Sequence, residues 1–225
     1  MPTAAMCEPL GMPRSARGPA DWARAAEELA DRSPLSAELL ERHGAPRGLR
    51  HSRPDQRFEA LARAITHQQL SGRAASTIWG RVAQSVGTPS DPAAFLAASH
   101  DQLRAAGLSN AKARSLHDLA AHVQDGRLDL RSTARMADED VGWPSLVEVR
   151  GIGEWSAQMF LISCLGRTDV WPTGDVGVRN GWAQVSGTDT CTGPAELAPV
   201  GDPFRPYRSV LAWWCWQEVD TMVPT

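Results

Sequence analysis

Apolar residues recur at i, i+3 or i+4 along most of the chain, the spacing that places them on one face of a helix. The runs are DWARAAEELA, SAELLERH, FEALARAITHQQL, GRAASTIWGRVAQSV, DQLRAAG, AKARSLHDLAAHV, GEWSAQMFLISCLG and RSVLAWWCWQEV. They lean on Ala, Leu, Arg and Glu, all good helix formers, and no run alternates over the length of a strand. The pattern predicts an all-α domain of about eight to ten short helices. Ser99 with Gln102 three positions on reads as a capping box, and Ser109 or Asn110 opens the helix that carries Lys112. Pro34, Pro54, Pro92 and Pro144 stand where a first helical turn accepts proline. Residues 1–18 lack periodicity and are expected to form a flexible N-terminal tail before a single domain over 19–225. From Gly187 to Pro206 the Gly and Pro content predicts a long surface connection before the last helix. No internal repeat of solenoid length is seen.

Composition narrows the class without naming a function. The 225 residues are 42% hydrophobic and 22% charged with a mean hydropathy of -0.32, which excludes collagen-like, wholly disordered and membrane-spanning chains. The longest apolar run, Met159 to Leu165, is far short of a bilayer span. The first residues have neither a basic start nor a sustained apolar stretch, so a cytoplasmic location is expected. Cysteines 7, 164, 191 and 215 form no C-x-x-C pair, so they lack zinc or iron–sulfur spacing and read as buried free thiols. The formal charge is -3, yet between Arg42 and Arg81 eight Arg face only Asp55 and Glu59, a local +6. Such a stripe suits phosphates, and solvated helix faces are the alternative. Among the basic residues there is a single lysine, Lys112.

The most informative segment is LVEVRGIGEWSAQMFL, from Leu146 to Leu161, where a short helix meets G-I-G and a longer helix begins at once. Gly151 and Gly153 allow a tight turn and close approach of a partner, and Ile152 plugs the gap between the helices. Unsatisfied N–H groups at the second helix start, with the positive end of its dipole, suit one phosphate of a nucleic-acid backbone. An αα turn without a ligand has the same signature. Asp175 follows Gly153 by 22 residues, in DVWPTGDVGVRNGW, at the mouth of another helix. A helix N-cap is the plain reading of an Asp there.

Taken together, AITHQQLSGRAASTIWGR, the G-I-G segment, DVWPTGDVGVR and FRPYRSVLAWWCW resemble the helix-hairpin-helix (HhH-GPD) DNA glycosylases, most closely the 3-methyladenine DNA glycosylase II branch. The resemblance runs from about residue 20 to residue 219. It implies two helical lobes with an active-site cleft between them, and a monofunctional enzyme that flips alkylated purines out of duplex DNA and hydrolyses the N-glycosidic bond. It implies that Asp175 is the catalytic carboxylate, that Trp155, Met159 and Trp216 line the base pocket, and that Gly151, Ile152 and Gly153 grip the DNA backbone. Gln69 or Leu70 would be the wedge that fills the gap left by the flipped base, with Arg73 also binding DNA. Arg205, Tyr207 and Arg208 would brace the catalytic loop, and His67 could touch DNA.

Strand-nicking relatives carry a Lys two residues after the second hairpin glycine, where this chain has Trp155, so no lyase activity is expected. The chemistry needs no cofactor and no metal, although a structural monovalent cation is expected at the hairpin carbonyls. The partner is double-stranded DNA with a damaged base, bound by a monomer. Arg150 and Ser156 depart from the Pro and Thr usual in the family's turn, and the chain has too few residues for the β-domain of larger relatives. That leaves two alternatives open: a glycosylase for an oxidised or deaminated base, or a DNA-binding module that excises nothing.

Overall fold

Helix starts follow the chemistry of the residues that precede them. Ser99 Oγ accepts from the N–H of Gln102 while Gln102 accepts from the N–H of Ser99, a capping box that satisfies two otherwise open donors. Ser109 Oγ accepts from the Lys112 N–H in the same way, and Asp91 accepts from the Ala93 N–H. Pro34 and Pro92 occupy first helical positions, where the missing N–H costs nothing.

The computed structural model describes residues 18–47, 49, 51–70, 72–131, 143–188 and 193–219. Its α-helices are α1 (Pro19–Ala30), α2 (Pro34–His43), α3 (Arg57–His67), α4 (Gly72–Val86), α5 (Pro92–Ala97), α6 (His100–Ala105), α7 (Asn110–Gln124), α8 (Trp143–Val147), α9 (Glu154–Ser163), α10 (Val176–Val185), α11 (Pro194–Leu197) and α12 (Arg208–Glu218). The described residues contain no strand. None of their helices is long and apolar enough to cross a membrane. The expected tail lies outside the described residues except for Gly18, as do Cys7 and Cys191.

Two groups of helices form. The ends of the chain meet in one lobe, where α1 packs on α2, both touch α12, and α10 lies along α12. The middle of the chain makes the other, with α7 at its centre against α3, α5 and α6. Helix α9 follows α8 and packs on α3 of the middle lobe, and its Trp155 reaches Asp175 at the start of α10. One continuous core runs through both lobes, with Trp22, Leu29, Leu39 and Trp214 on one side and Phe58, Phe95, Leu103 and Leu116 on the other. Each of these buried side chains stabilises the fold by about 1.5–3 kcal/mol.

Gly181 explains how close α10 comes to α12: a Cβ there would stand 1.9 Å from the carbonyl oxygen of Cys215. Only a residue without a side chain permits that approach. The Gly187–Pro206 stretch departs from the sequence expectation. It holds α11 and a 3-10 helix over Ala198–Phe204, with Leu197, Gly201 and Phe204 buried. Its two apolar anchors, Leu197 and Phe204, are too few for the periodicity to register, and the prolines mimic a loop.

Candidate active site

The segment that delivers Asp175 is held from both sides. Asp169 is buried and accepts from Arg208 Nε at 2.7 Å and from an Arg205 guanidinium N–H at 3.0 Å. Ser209 Oγ accepts from the Val170 N–H, and Trp171 Nε1–H donates to the carbonyl of Leu197. Arg205 and Arg208 thus brace this loop, while Tyr207 turns to α1 and donates to Glu28.

Asp175 is the N-cap of α10, and its Oδ1 accepts from the Val178 N–H at 2.8 Å. The same oxygen accepts from Trp216 Nε1–H at 2.9 Å, and Oδ2 accepts from Trp155 Nε1–H at 2.5 Å. Only 7% of the residue is exposed. A buried carboxylate is tolerated when its oxygens are hydrogen-bonded, and here three N–H groups and the positive end of α10 surround it. Gly177 keeps the cradle open, since a Cβ there would lie 2.9 Å from the Trp216 ring and 3.1 Å from Asp175 Oδ1.

Trp155 is 41% exposed although its indole N–H is tied to Asp175, so much of the ring surface stays open beside a buried anion. Val176, the residue after Asp175, is also exposed. Met159 lies one turn along α9 and is buried in the core cluster, as are Trp213, Trp214 and Trp216. The structure therefore joins Asp175, Trp155 and Trp216 directly, and Met159 belongs to the core cluster.

The hairpin connects α8 to α9. Gly151 has φ +82°, and a Cβ there would come 2.5 Å from Ser115 Oγ, so glycine is required twice over. Gly153 differs: its φ of -90° suits any residue, and a Cβ would meet nothing within 4 Å. The turn is thus demanded by Gly151 alone, and the space over Gly153 is open to an approaching ligand. Ile152 is buried in the core cluster. The start of α9 has no side-chain cap, so the N–H groups of its first turn remain available to an anion. Asp118 of α7 accepts from the Arg150 N–H at 2.7 Å and anchors the turn.

Gln69 is the one non-glycine among the described residues with positive φ, at +55°, and both it and Leu70 are exposed. Arg73 is exposed in the first turn of α4. Burial, with Arg63 and Lys112 nearby, pushes the His67 imidazole below its ordinary pKa. Sequence reasoning missed two side chains here. Gln68 donates to the Gly151 carbonyl and to Ser156 Oγ, and Lys112 donates to the carbonyls of Thr66 and Gln68. The signal for Lys112 was its being the single lysine of so arginine-rich a chain, and for Gln68 its place in the THQQLSG turn. Among the described residues, no group of three His, Cys, Asp or Glu is arranged to hold a metal ion.

An uncapped hairpin beside a buried, indole-bound carboxylate is the arrangement of a helix-hairpin-helix protein. The chain belongs to the HhH-GPD superfamily of base excision DNA repair proteins, whose sequence pattern matches residues 62–198. It is 28% identical over 162 residues to DNA-3-methyladenine glycosylase 1 of Schizosaccharomyces pombe, covering 71% of each chain. Its structure superposes on the DNA-3-methyladenine glycosidase of Bacillus halodurans with a TM-score of 0.77 and 31% identity, covering 90% of both chains. A second solved structure, the S. pombe 3-methyladenine DNA glycosylase Mag1 in complex with abasic DNA, matches with a TM-score of 0.74 and 26% identity over 88% of this chain and 98% of the other.

Proposed function

We propose that this protein is a monofunctional DNA glycosylase that releases alkylated purines of the 3-methyladenine type from duplex DNA, with Asp175 as its catalytic carboxylate. The observation that carries the reading is the buried Asp175 anion held by two indole N–H groups beside the exposed face of Trp155.

Breaking the C1′–N bond leaves an oxocarbenium-like sugar, and a fixed anion near C1′ lowers that barrier while orienting the attacking water. Water supplies the hydroxyl at C1′ and gives its proton to the Asp175 carboxylate, and the cationic base departs neutral with the bonding electron pair. A cationic alkylated base is already a good leaving group, so a second carboxylate acid is not needed. Stacking of such a base on Trp155 adds a cation–π attraction of about 0.5–2 kcal/mol, which favours positively charged lesions. Val176, Met159 and Trp216 complete the pocket in this reading, and the α9 start with Gly151, Ile152 and Gly153 holds one phosphate.

Gln69 or Leu70 supplies the wedge, and Arg73 supports DNA binding. The enzyme works as a monomer on damaged duplex DNA and leaves an abasic site, because Trp155 stands where a Schiff-base lysine would be and the Lys112 amine is engaged by two carbonyls. The uncharged carbonyl oxygens of the 149–152 turn suit a monovalent cation, since Gly151 O retains a lone pair beside the Gln68 amide. Such an ion would steady the turn and a bound phosphate.

Asp175→Asn tests the assignment: Asn is as good an N-cap as Asp and its single oxygen can still accept the Val178 and Trp216 bonds, while its Nδ2 meets the Trp155 N–H and that third bond is lost. Free methylated base is measured after incubation with alkylated duplex DNA. The wild type is expected to release it and the variant to be slower by on the order of 10²–10³-fold. Equal release by the two proteins removes Asp175 from the reaction.

A further inference from the structure

The turn at residues 67–70 is held in an unusual way. Lys112 is the third residue of α7, where the positive end of its own helix disfavours a cation. Its ammonium leaves that helix and donates at 2.7 Å to the Thr66 carbonyl and at 2.6 Å to the Gln68 carbonyl, at the negative end of α3. A compact head with three donors suits two convergent carbonyl oxygens. The next residue, Gln69, carries the left-handed φ of +55°, a conformation that costs a non-glycine residue on the order of 1 kcal/mol and persists only where its surroundings impose it.

On the other side of the same peptide, Gln68 Nε2–H donates to the Gly151 carbonyl at 2.9 Å and to Ser156 Oγ at 3.3 Å. Two side chains therefore join three elements that are distant in sequence: the end of α3, the start of α7 and the hairpin before α9. Neither belongs to the apolar core, and both are half-buried at the surface.

We propose that Lys112 and Gln68 form a two-point latch that fixes the Gln69–Leu70 turn at a set distance from the 151–156 hairpin, making Lys112 a positioning residue for insertion of that turn into duplex DNA. The inference rests on the reading of this protein as a base-flipping enzyme. The hairpin holds the backbone while the turn must arrive at the vacated base position, and a displacement of about 1 Å in such a constellation can cost on the order of 100-fold in rate. Releasing the latch leaves both parts intact but lets them move independently.

The test uses the full chain and a duplex carrying 2-aminopurine beside a tetrahydrofuran abasic analogue, whose fluorescence rises when the wedge unstacks the neighbouring base. No catalysis is needed for this signal. Lys112→Met and Gln68→Ala are each expected to slow the insertion phase by about tenfold or more, while affinity for undamaged duplex stays within about twofold of wild type. Both variants are first checked for a native thermal transition, and if Lys112→Met does not fold, Gln68→Ala alone decides. Wild-type insertion kinetics in either folded variant, or no insertion signal from the wild type itself, overturns the latch. A wild type that inserts normally but releases no methylated base refutes the glycosylase reading and leaves the latch standing.

Discussion

Adding one methyl group at Gly181 tests whether the contact between α10 and α12 sets the geometry of the site. The new Cβ would sit 1.9, 2.5 and 2.6 Å from the carbonyl oxygen, carbonyl carbon and Cα of Cys215, all of them backbone atoms that cannot rotate away. Restoring an ordinary contact of 3.4 Å requires α10 to retreat by about 1.5 Å. Asp175 begins α10 and Trp216 follows Cys215, so the same retreat would stretch their 2.9 Å hydrogen bond to roughly 4 Å, past any useful length. Overpacking costs about 1–3 kcal/mol and loss of a hydrogen bond to a charged group about 1.5–3 kcal/mol. A destabilisation of about 3–5 kcal/mol corresponds to a fall in Tm of roughly 10 °C for a chain of this size. Excision should fall by on the order of 100-fold, since the carboxylate moves by more than 1 Å. Thermal unfolding and single-turnover base release measure the two effects. Gly80→Ala is the control: Gly80 lies exposed inside α4, a Cβ there would meet nothing within 4 Å, and the variant should gain about 0.4–1 kcal/mol. A Gly181→Ala protein that melts and reacts like the wild type would show that α10 does not rest on the α12 backbone.

Gly151→Ala combines a left-handed backbone penalty of roughly 1–2 kcal/mol with a clash against Ser115 Oγ. Titration of labelled undamaged duplex should show about tenfold weaker binding, equivalent to ~1.4 kcal/mol, and unchanged affinity would mean the turn makes no backbone contact. At the far end of α12, burial raises the Glu218 carboxyl pKa, but hydrogen bonds from His43 and Arg42 outweigh it and hold the group below its ordinary value. A pKa lowered on folding gives stability that is complete above the unfolded value and is lost as pH falls through the folded one. Glu218→Gln should therefore cost about 1 kcal/mol at pH 7, after allowance for solvent screening, and the gap in Tm should shrink and close as acid carries the pH down through the lowered folded value. A gap independent of pH would refute the ion-pair account.

The long helices were legible because an amphipathic period of 3.6 is a statement about burial, and burial is what holds α3, α4 and α7 in place. Ser99 and Ser109 were legible because capping is local. What could not be read was set by contacts between distant segments. The 194–204 region is anchored by Leu197 and Phe204 without any period, and Lys112 serves a helix that begins more than fifty residues earlier. Asp175 is the instructive case. From the sequence, N-cap and catalytic anion stand as competing readings of one residue; the structure shows the N-cap, and on the proposed function the two belong to one arrangement. Oδ1 caps α10 through Val178 and takes the Trp216 N–H, while Oδ2 faces Trp155. Capping fixes the carboxylate, and the dipole of α10 offsets part of the cost of burying its charge. An anion stabilised by its own helix needs no mobile counterion, so its charge remains free to act on a cation that forms transiently beside it. On the proposed function, the ordinary device for starting a helix also prepares the site for an oxocarbenium-like sugar.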